Sequence, residues 1–381
     1  MPYKLPEGGR AAGLSDMGDV KAYANRVLGG HRRGTARLFI EWILLLGTVI
    51  AFAGGCSSPK TAGRDGAAQR TESSAGTEPE TSAEPSEKAT LPALLVKDGR
   101  LVDETGAPVQ LRGMSTHGIM WYPQYANAGA FRFVKEVGGN VIRIAMYTDT
   151  ENGYLKNPEE NVLAVRKAVE DALAIGMYVI VDWHILSDGD PCAHQDEAIT
   201  FFDGMASAYA GNPAVMYEIC NEPNGVGWDV VKSYAYALVP VIRQYSPDAV
   251  IIVGTPGYSF GIEDAVTDPL PMDNLLYAFH YYVGEKDTFR GLSLAVEKKC
   301  PVIVSEWGIG NDRNGEPALE SGREFVSYMN EQGISWCAWS FCNKEEAYSM
   351  IRSDCTKYGG FTDDDLTEVG RLYREGLGGD P

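Results

Sequence analysis

The chain has 381 residues, 44% hydrophobic, 22% charged and 10% aromatic, a globular composition with room for one large domain or two ordinary ones. Its 52 acidic side chains against 33 basic ones leave a net charge of −19, which repels phosphate backbones and sets nucleic acid aside as a partner. Seven cysteines are too sparse for a disulfide scaffold, so an apolar core must hold the fold.

The first 40 residues run against the overall charge, with seven basic side chains (Lys4, Arg10, Lys21, Arg26, Arg32, Arg33, Arg37) and three acidic ones (Glu7, Asp16, Asp19). They feed an apolar run at 42–52 (WILLLGTVIAF), bounded by Glu41. That run is shorter than the roughly 20 residues a membrane span needs. Ala53-Gly54-Gly55 directly before Cys56 resembles the lipobox of bacterial lipoproteins, although Ala53 stands where leucine is commonest. The resemblance implies lipidation at Cys56, which would become the mature N-terminus. An uncleaved signal anchor is the alternative reading of residues 1–56, and Met17 is an alternative start. Both readings export the protein, so the expected location is extracellular and tethered to the membrane. Residues 57–90 contain no Val, Ile, Leu, Met or aromatic residue, so they cannot bury apolar surface and read as a disordered linker.

Residues 91–381 read as one domain. The stretch 94–113 (LLVKDGRLVDETGAPVQLRG) has turn signals at Asp98-Gly99 and Thr105-Gly106, which predict a hairpin leading into a strand. Apolar β-rich runs then recur at 109–114, 140–145, 178–183, 215–220, 250–253, 275–279, 302–305 and 334–338. Helical periodicity fills most of the gaps, as at 162–175, 230–245 and 316–332. Eight buried strands alternating with helices over roughly 250–290 residues give a (β/α)8 TIM barrel. A doubly wound sheet is disfavoured, because no glycine-rich phosphate loop follows the first strand.

In such a barrel the active site is built just past the C-terminal ends of the strands. Those positions carry Ser115-Thr116-His117-Gly118 with Trp121 and Tyr122, then Arg143 and Tyr147, Asp182-Trp183-His184, Asn221-Glu222-Pro223, His280-Tyr281-Tyr282, Glu306-Trp307-Gly308, and Trp339 with Lys344 and Glu346. Glu222 and Glu306 follow the fourth and seventh barrel strands, which face each other across the mouth. Two carboxyls about 5–5.5 Å apart, one protonated and one ionised, are what glycosidic cleavage with retention requires. Arg143 and the Tyr282 hydroxyl are placed to stabilise an ionised Glu306, while Glu222 stays protonated longer beside a like charge. Asn221 suits a sugar 2-hydroxyl, and Trp121, Trp183, Trp307 and Trp339 offer flat faces for pyranose rings.

The segments LRGMSTHGIMWYPQY, NVIRIAMYT, VIVDWHILSD, YEICNEPNG, FHYY, VIVSEWG and AWSFCNKEE resemble glycoside hydrolase family 5, in its bacterial endoglucanase (cellulase) branch. The resemblance spans about residues 95–346, with seven motifs in the family's order. It implies Glu222 as acid/base and Glu306 as nucleophile. Arg143, His184, Asn221, His280, Tyr282 and Trp339 match the family's other active-site positions, and His117, Trp121, Tyr147, Lys344 and Glu346 match substrate-binding positions of the branch. Met120, where a polar residue is common, and Phe341-Cys342 depart from the pattern without touching the carboxylate pair.

The implied activity is a retaining endo-β-1,4-glucanase acting on cellulose-type glucan as a monomer, with no cofactor or metal. β-Mannan, xyloglucan and mixed-linkage glucan are alternative substrates. No separate carbohydrate-binding segment is visible, which favours soluble chains over crystalline cellulose. A zinc site of His117, His184 and His280 is the metal alternative, but the chain has no His-x-His and no HExxH. A surface sugar-binding barrel without activity would lack one carboxylate, and both are present. Trp336 and Trp228 read as packing residues and Cys220 as a buried small hydrophobe. Among Cys192, Cys300, Cys337, Cys342 and Cys355 a disulfide is open after export, with no pairing assignable.

Overall fold

A computed structural model describes residues 91–378 apart from 285–287 and 312–314; the expected leader, Cys56 and the linker lie outside the described residues. The expected hairpin is present. Leu94–Lys97 (β1) and Arg100–Asp103 (β2) pair antiparallel across Asp98-Gly99, whose φ values of 51° and 78° are the two positive angles a two-residue type I′ turn needs. The second turn is held by Asp103, whose Oδ1 accepts from Thr105 N, the Thr105 hydroxyl and Ala107 N.

Eight parallel strands follow: Arg112–Thr116 (β3), Val141–Tyr147 (β4), Tyr178–His184 (β5), Val215–Glu218 (β6), Ile251–Val253 (β7), Leu275–Val283 (β8), Val302–Ile309 (β9) and Ser335–Phe341 (β10). They close in sequence order, with β10 bonding back to β3. Helices alternate with them: Ala128–Glu136 (α1), Pro158–Ala174 (α2), Gln195–Ala208 (α3), Trp228–Arg243 (α4), Glu263–Thr267 (α5), Arg290–Glu297 (α6) and Leu319–Gln332 (α7), with Glu368–Leu377 (α8) last. The barrel expected from the rhythm of apolar runs is therefore the fold.

Local chemistry explains the helix borders. Asn127 caps α1 by accepting from Gly129 N and Ala130 N at 2.7 and 3.1 Å. α2 begins with Pro158 and carries Glu159 and Glu160 in its first turn, then buries Val165, Ala168, Val169 and Ala172 as one stripe. Outward-facing strand residues such as Val179, Val181, Trp183 and Trp307 meet these stripes in the main core.

The barrel interior is divided along its axis. Its lower half is apolar: Val141, Tyr178, Ile180, Met216, Ile252, Leu276, Ala278, Ile303 and Cys337 form one cluster, onto which the hairpin lays Leu94 and Leu101. Its upper half is charged and holds the candidate site. Between the two, β9 contains one extra residue. Ala278 and His280 of β8 pair with Ile303 and Glu306, and Trp336 and Ala338 of β10 pair with Val304 and Trp307. A step of two on both neighbours spans three on β9, the signature of a β-bulge, which re-aims a side chain.

All eight barrel strands differ in length from the predicted runs, and the run predicted at 302–305 continues to Ile309. The run predicted at 275–279 continues to Val283, and the run predicted at 215–220 ends at Glu218. No disulfide forms among the described cysteines: Cys192, Cys220, Cys300, Cys337, Cys342 and Cys355 are all free.

Candidate active site

Arg143 is the anchor of the mouth. Strand alternation turns it inward from β4, where it is wholly buried. Its Nε donates to Glu218 Oε2 at 2.7 Å, Nη1 to Glu306 Oε2 at 2.8 Å and Ser115 Oγ at 3.3 Å, and Nη2 to Asn221 Oδ1 at 2.6 Å. Asp182 Oδ2 lies 3.0 Å from Nη2. The fixed fork of a guanidinium thus serves three carboxylates and an amide at once. Tyr282 OH donates to the other oxygen of Glu306 at 2.7 Å. Burial alone would raise the Glu306 pKa, yet the facing charges of His280 and Arg143 and the Tyr282 hydroxyl bring it below the ordinary carboxylate value.

Glu222 sits in a different field. Its Oε1 lies 2.9 Å from His280 Nδ1, and burial together with the nearby Glu306 pushes its pKa up. One oxygen of Glu222, one of Glu306 and a ring nitrogen of His280 all lie within 4.8 Å of one another. Two close carboxyls with opposite shifts are a pair poised for different tasks.

His184 is neutral, and its tautomer follows from its partners. Arg143 can only donate, so Asn221 presents Oδ1 to it; the Ile185 carbonyl can only accept, so Nδ2 faces Ile185 O at 2.9 Å and His184 Nε2 at 3.3 Å. His184 Nε2 is therefore the acceptor, and Nδ1–H donates to Asp182 Oδ2 at 2.6 Å. Burial lowers the His184 pKa to about 3, in keeping with a neutral ring.

Aromatic and charged groups line one side of the mouth. His117, Tyr147, His184 and Trp339 form a stack, with ring centroids 4.1 Å apart for Tyr147–His184, 5.0 Å for His117–Trp339 and 5.4 Å for His184–Trp339. Trp121 packs on Tyr147 at 4.6 Å and remains 39% exposed. Lys344 Nζ lies 2.5 Å from Glu346 Oε2 and 3.4 Å from His117 Nε2. Glu346 Oε1 is buried, accepts no hydrogen bond and lies 3.9 Å from His117 Nε2.

The tryptophans divide between the mouth and the outer core. Trp183 and Trp307, expected to offer faces to sugar rings, are fully buried in the outer core. Asp182, His184 and Glu306 take the inward positions, so the intervening tryptophans must point between strand and helix. Trp121 and Trp339 remain at the mouth. Trp336 and Trp228 are buried as expected, with Trp228 Nε1 donating to Asp268 O at 2.9 Å.

The sequence places Asp182 at the mouth without assigning it a role, and Glu218 and Ser305 were missed. Ser305 Oγ donates to Glu218 Oε1 at 2.7 Å and lies 3.0 Å from His280 Nε2. A signal existed for the two acids: each interrupts an apolar strand at an inward position, where an unpaired charge is prohibitive. None existed for Ser305, which faces inward beside Glu306 only because of the bulge.

Among the described residues, Glu222, His280 and Glu306 are the one group with ligand atoms close enough to share an ion. Each of these side chains already has a partner: Glu306 has Arg143 and Tyr282, and Glu222 has His280. The ring nitrogens of the alternative zinc set are also engaged: those of His184 and His280 as above, and His117 Nδ1 by Gly118 N at 2.7 Å.

The sequence model of the cellulase family, glycosyl hydrolase family 5, matches residues 102–345. An endoglucanase of Clostridium saccharobutylicum is 40% identical over 292 residues, covering 75% of this chain and 65% of that protein. Endoglucanase N of Pectobacterium atrosepticum is 41% identical over 290 residues, covering 74% and 64%. The chain thus spans slightly under two thirds of the length of these relatives. Among solved structures, the catalytic domain of Thermobifida fusca endoglucanase Cel5A (E5) superposes with a TM-score of 0.70 at 36% identity, covering 75% of this chain and 97% of that one. A variant of the same domain in complex with cellotetraose gives a TM-score of 0.70 at 35% identity over the same shares.

Proposed function

The chain belongs to the cellulase family, glycosyl hydrolase family 5, and on that premise we propose that it is a retaining endo-β-1,4-glucanase. The observation that carries the reading is the asymmetry of two close carboxyls: Glu306 held ionised by Arg143 and Tyr282, Glu222 held toward its protonated form. Glu306 attacks the anomeric carbon while Glu222 gives its proton to the leaving oxygen. Glu222 then takes a proton from the water that hydrolyses the glycosyl-enzyme, and Glu306 leaves as a carboxylate. Trp121 and Trp339 offer apolar faces to the glucose rings. Lys344 and the Glu346 oxygen that accepts no hydrogen bond suit sugar hydroxyls. The endoglucanase names of the relatives, and the cellotetraose bound by the Thermobifida fusca domain, support β-1,4-glucan as substrate.

Reducing-end release from soluble β-1,4-glucan, β-mannan, xyloglucan and mixed-linkage glucan by the full-length protein tests the reading. The β-1,4-glucan is expected to be cut fastest, and activity confined to mannan would replace the substrate. In the same assay prolonged chelation is expected to leave the rate unchanged, because every proposed step uses protein side chains. Loss of activity restored by zinc would overturn that chemistry.

Gly308 supports the nucleophile. An added Cβ there would lie 2.7 and 2.9 Å from two Tyr282 ring carbons, closer than the ring tolerates. Gly308→Ala is expected to shift Tyr282 away from Glu306. Losing a hydrogen bond to a charged group predicts a fall in kcat of roughly 10- to 100-fold. A variant of unchanged kcat would show that the Tyr282 bond is dispensable.

The chain is also proposed to be an exported lipoprotein attached through Cys56, on the strength of its basic leader, apolar run and small residues before the cysteine. Cell fractionation checks this. Cys56→Ser is expected to release the protein or block processing, whereas a membrane-bound variant retaining residues 1–55 would favour the signal anchor.

A further inference from the structure

The Glu222 carboxyl is joined to Arg143 by three side chains that the steps above leave unused. Arg143 Nε donates to Glu218 Oε2 at 2.7 Å, and Ser305 Oγ donates to Glu218 Oε1 at 2.7 Å. His280 then sets Nε2 3.0 Å from Ser305 Oγ and Nδ1 2.9 Å from Glu222 Oε1. Glu218 and Ser305 are completely buried and His280 nearly so.

The direction of each hydrogen follows from the end of this chain. Burial would raise the Glu218 pKa, but Arg143 and His280 hold it down to about 2, so Glu218 only accepts. Ser305 has one hydrogen and spends it on Glu218. Its oxygen is then left to receive Nε2–H of His280. Nδ1 is consequently the ring atom that exchanges a proton with Glu222.

We propose that Ser305 is a positioning residue for proton transfer: it keeps His280 in the Nε2–H form, so that one proton is shared between His280 Nδ1 and Glu222. That proton cannot leave the pair without setting the Glu222 carboxylate against a nitrogen lone pair. The inference rests on Glu222 being the acid/base and adds what holds its proton. During glycosylation the shared proton passes through Glu222 to the leaving oxygen, as the bond from that oxygen to the anomeric carbon breaks. The pair is then neutral imidazole and carboxylate, an arrangement that favours taking a proton back from the attacking water. Burial opposes a charge on His280, yet the Glu218 carboxylate 3.7 Å from Nε2, the bond to Glu222 and the field of Glu306 lift its pKa to about 9. The other titratable or charged groups gathered around it are Arg143 on β4, Asp182 and His184 on β5, and Tyr282 on its own strand. A substitution at Ser305 leaves all of them in place.

Ser305→Ala removes the hydrogen-bond acceptor at Nε2 and leaves only Glu218 Oε1, 3.7 Å away and beyond hydrogen-bond reach, so neutral His280 can carry its proton on Nδ1 and donate to an ionised Glu222. The pair then gives up its shared proton at lower pH. The alkaline limb of kcat/KM on cellotetraose is expected to move toward acid by about one pH unit, the scale of one lost hydrogen bond. Ser305→Cys, a poor acceptor of similar size, is expected to behave alike, and Ser305→Thr, which keeps the hydroxyl, to leave the limb in place. With 2,4-dinitrophenyl β-cellobioside, whose leaving group needs no proton, the first step in the Ala variant should match the parent rate. An unmoved limb in Ala and Cys variants that melt like the parent would overturn the proposal, as would a Thr variant shifted like Ala. Glu222→Ala run in parallel separates the two levels. If it slows the first step of the dinitrophenyl substrate as much as cleavage of cellotetraose, the acid/base reading itself fails. If it spares that step while the Ser305→Ala limb stays fixed, only the role of Ser305 fails.

Discussion

Glu306→Ala is expected to abolish turnover by several orders of magnitude while leaving the fold intact, because no other group near the anomeric carbon can replace a missing nucleophile. The side chain occupies the mouth and supports no core packing, so thermal unfolding should change little beyond the release of its charge from Arg143. Glu222→Ala should slow cleavage of unactivated glucan by roughly 10²- to 10⁴-fold, the usual worth of general acid–base assistance. Carboxyls as close as Glu222 and Glu306 leave no room for a water between carboxylate and sugar, so the first product should keep the β-configuration. Proton NMR of the fresh hydrolysate reads this before mutarotation, and an initial α-anomer would sink the double displacement. The pH profile has a matching sign. Glu306 must be ionised and its pKa is lowered, so the acid limb should fall below the ordinary carboxylate range. Glu222 must be protonated and its pKa is raised, so the alkaline limb should lie above that range.

Arg143→Lys should have the next largest effect, although it conserves charge. The guanidinium reaches Glu218, Glu306, Asn221 and Asp182 from separate nitrogens, and an ammonium is a single point that cannot span them. At least one buried carboxylate then loses its compensating charge, at a cost of about 3–5 kcal/mol. For a domain of this size that corresponds to a fall in melting temperature of roughly 5–15 °C. A weaker positive field at Glu306 favours its protonated form, so the acid limb should move to higher pH. A variant that melts like the parent, with the acid limb in place, would mean that the other donors carry the site alone.

The fold was legible because each barrel strand is a short apolar run bounded by turns, a pattern that survives without knowledge of neighbours. The carboxylate pair was legible because Glu222 and Glu306 stand at the ends of apolar runs, and Arg143 because a cation inside an apolar run demands a partner. Orientation was harder. Trp183 and Trp307 belong to the right motifs but lie one residue out of phase with the inward positions. Glu218 and Asp182 look like isolated acids until closure of the barrel brings Arg143 between them. The reach of β8 to Val283, and the bulge in β9, depend on pairing with adjacent strands, and no single strand's sequence encodes its register.

Loss of one codon can leave this barrel well formed and still cost its site a group. In a regular strand Ser305 and Glu306 would face opposite ways, and the bulge lets both face inward on two levels. Deleting residue 305 would restore strict alternation with Glu306 still inward and opposite His280, and would remove the hydroxyl that links Glu218 to His280. The strand would be well formed, yet Glu218 and His280 would lose the side chain between them. In β9 the constraint therefore falls on the number of residues as well as on their identity, because the extra residue is what gives Ser305 its place beside Glu306.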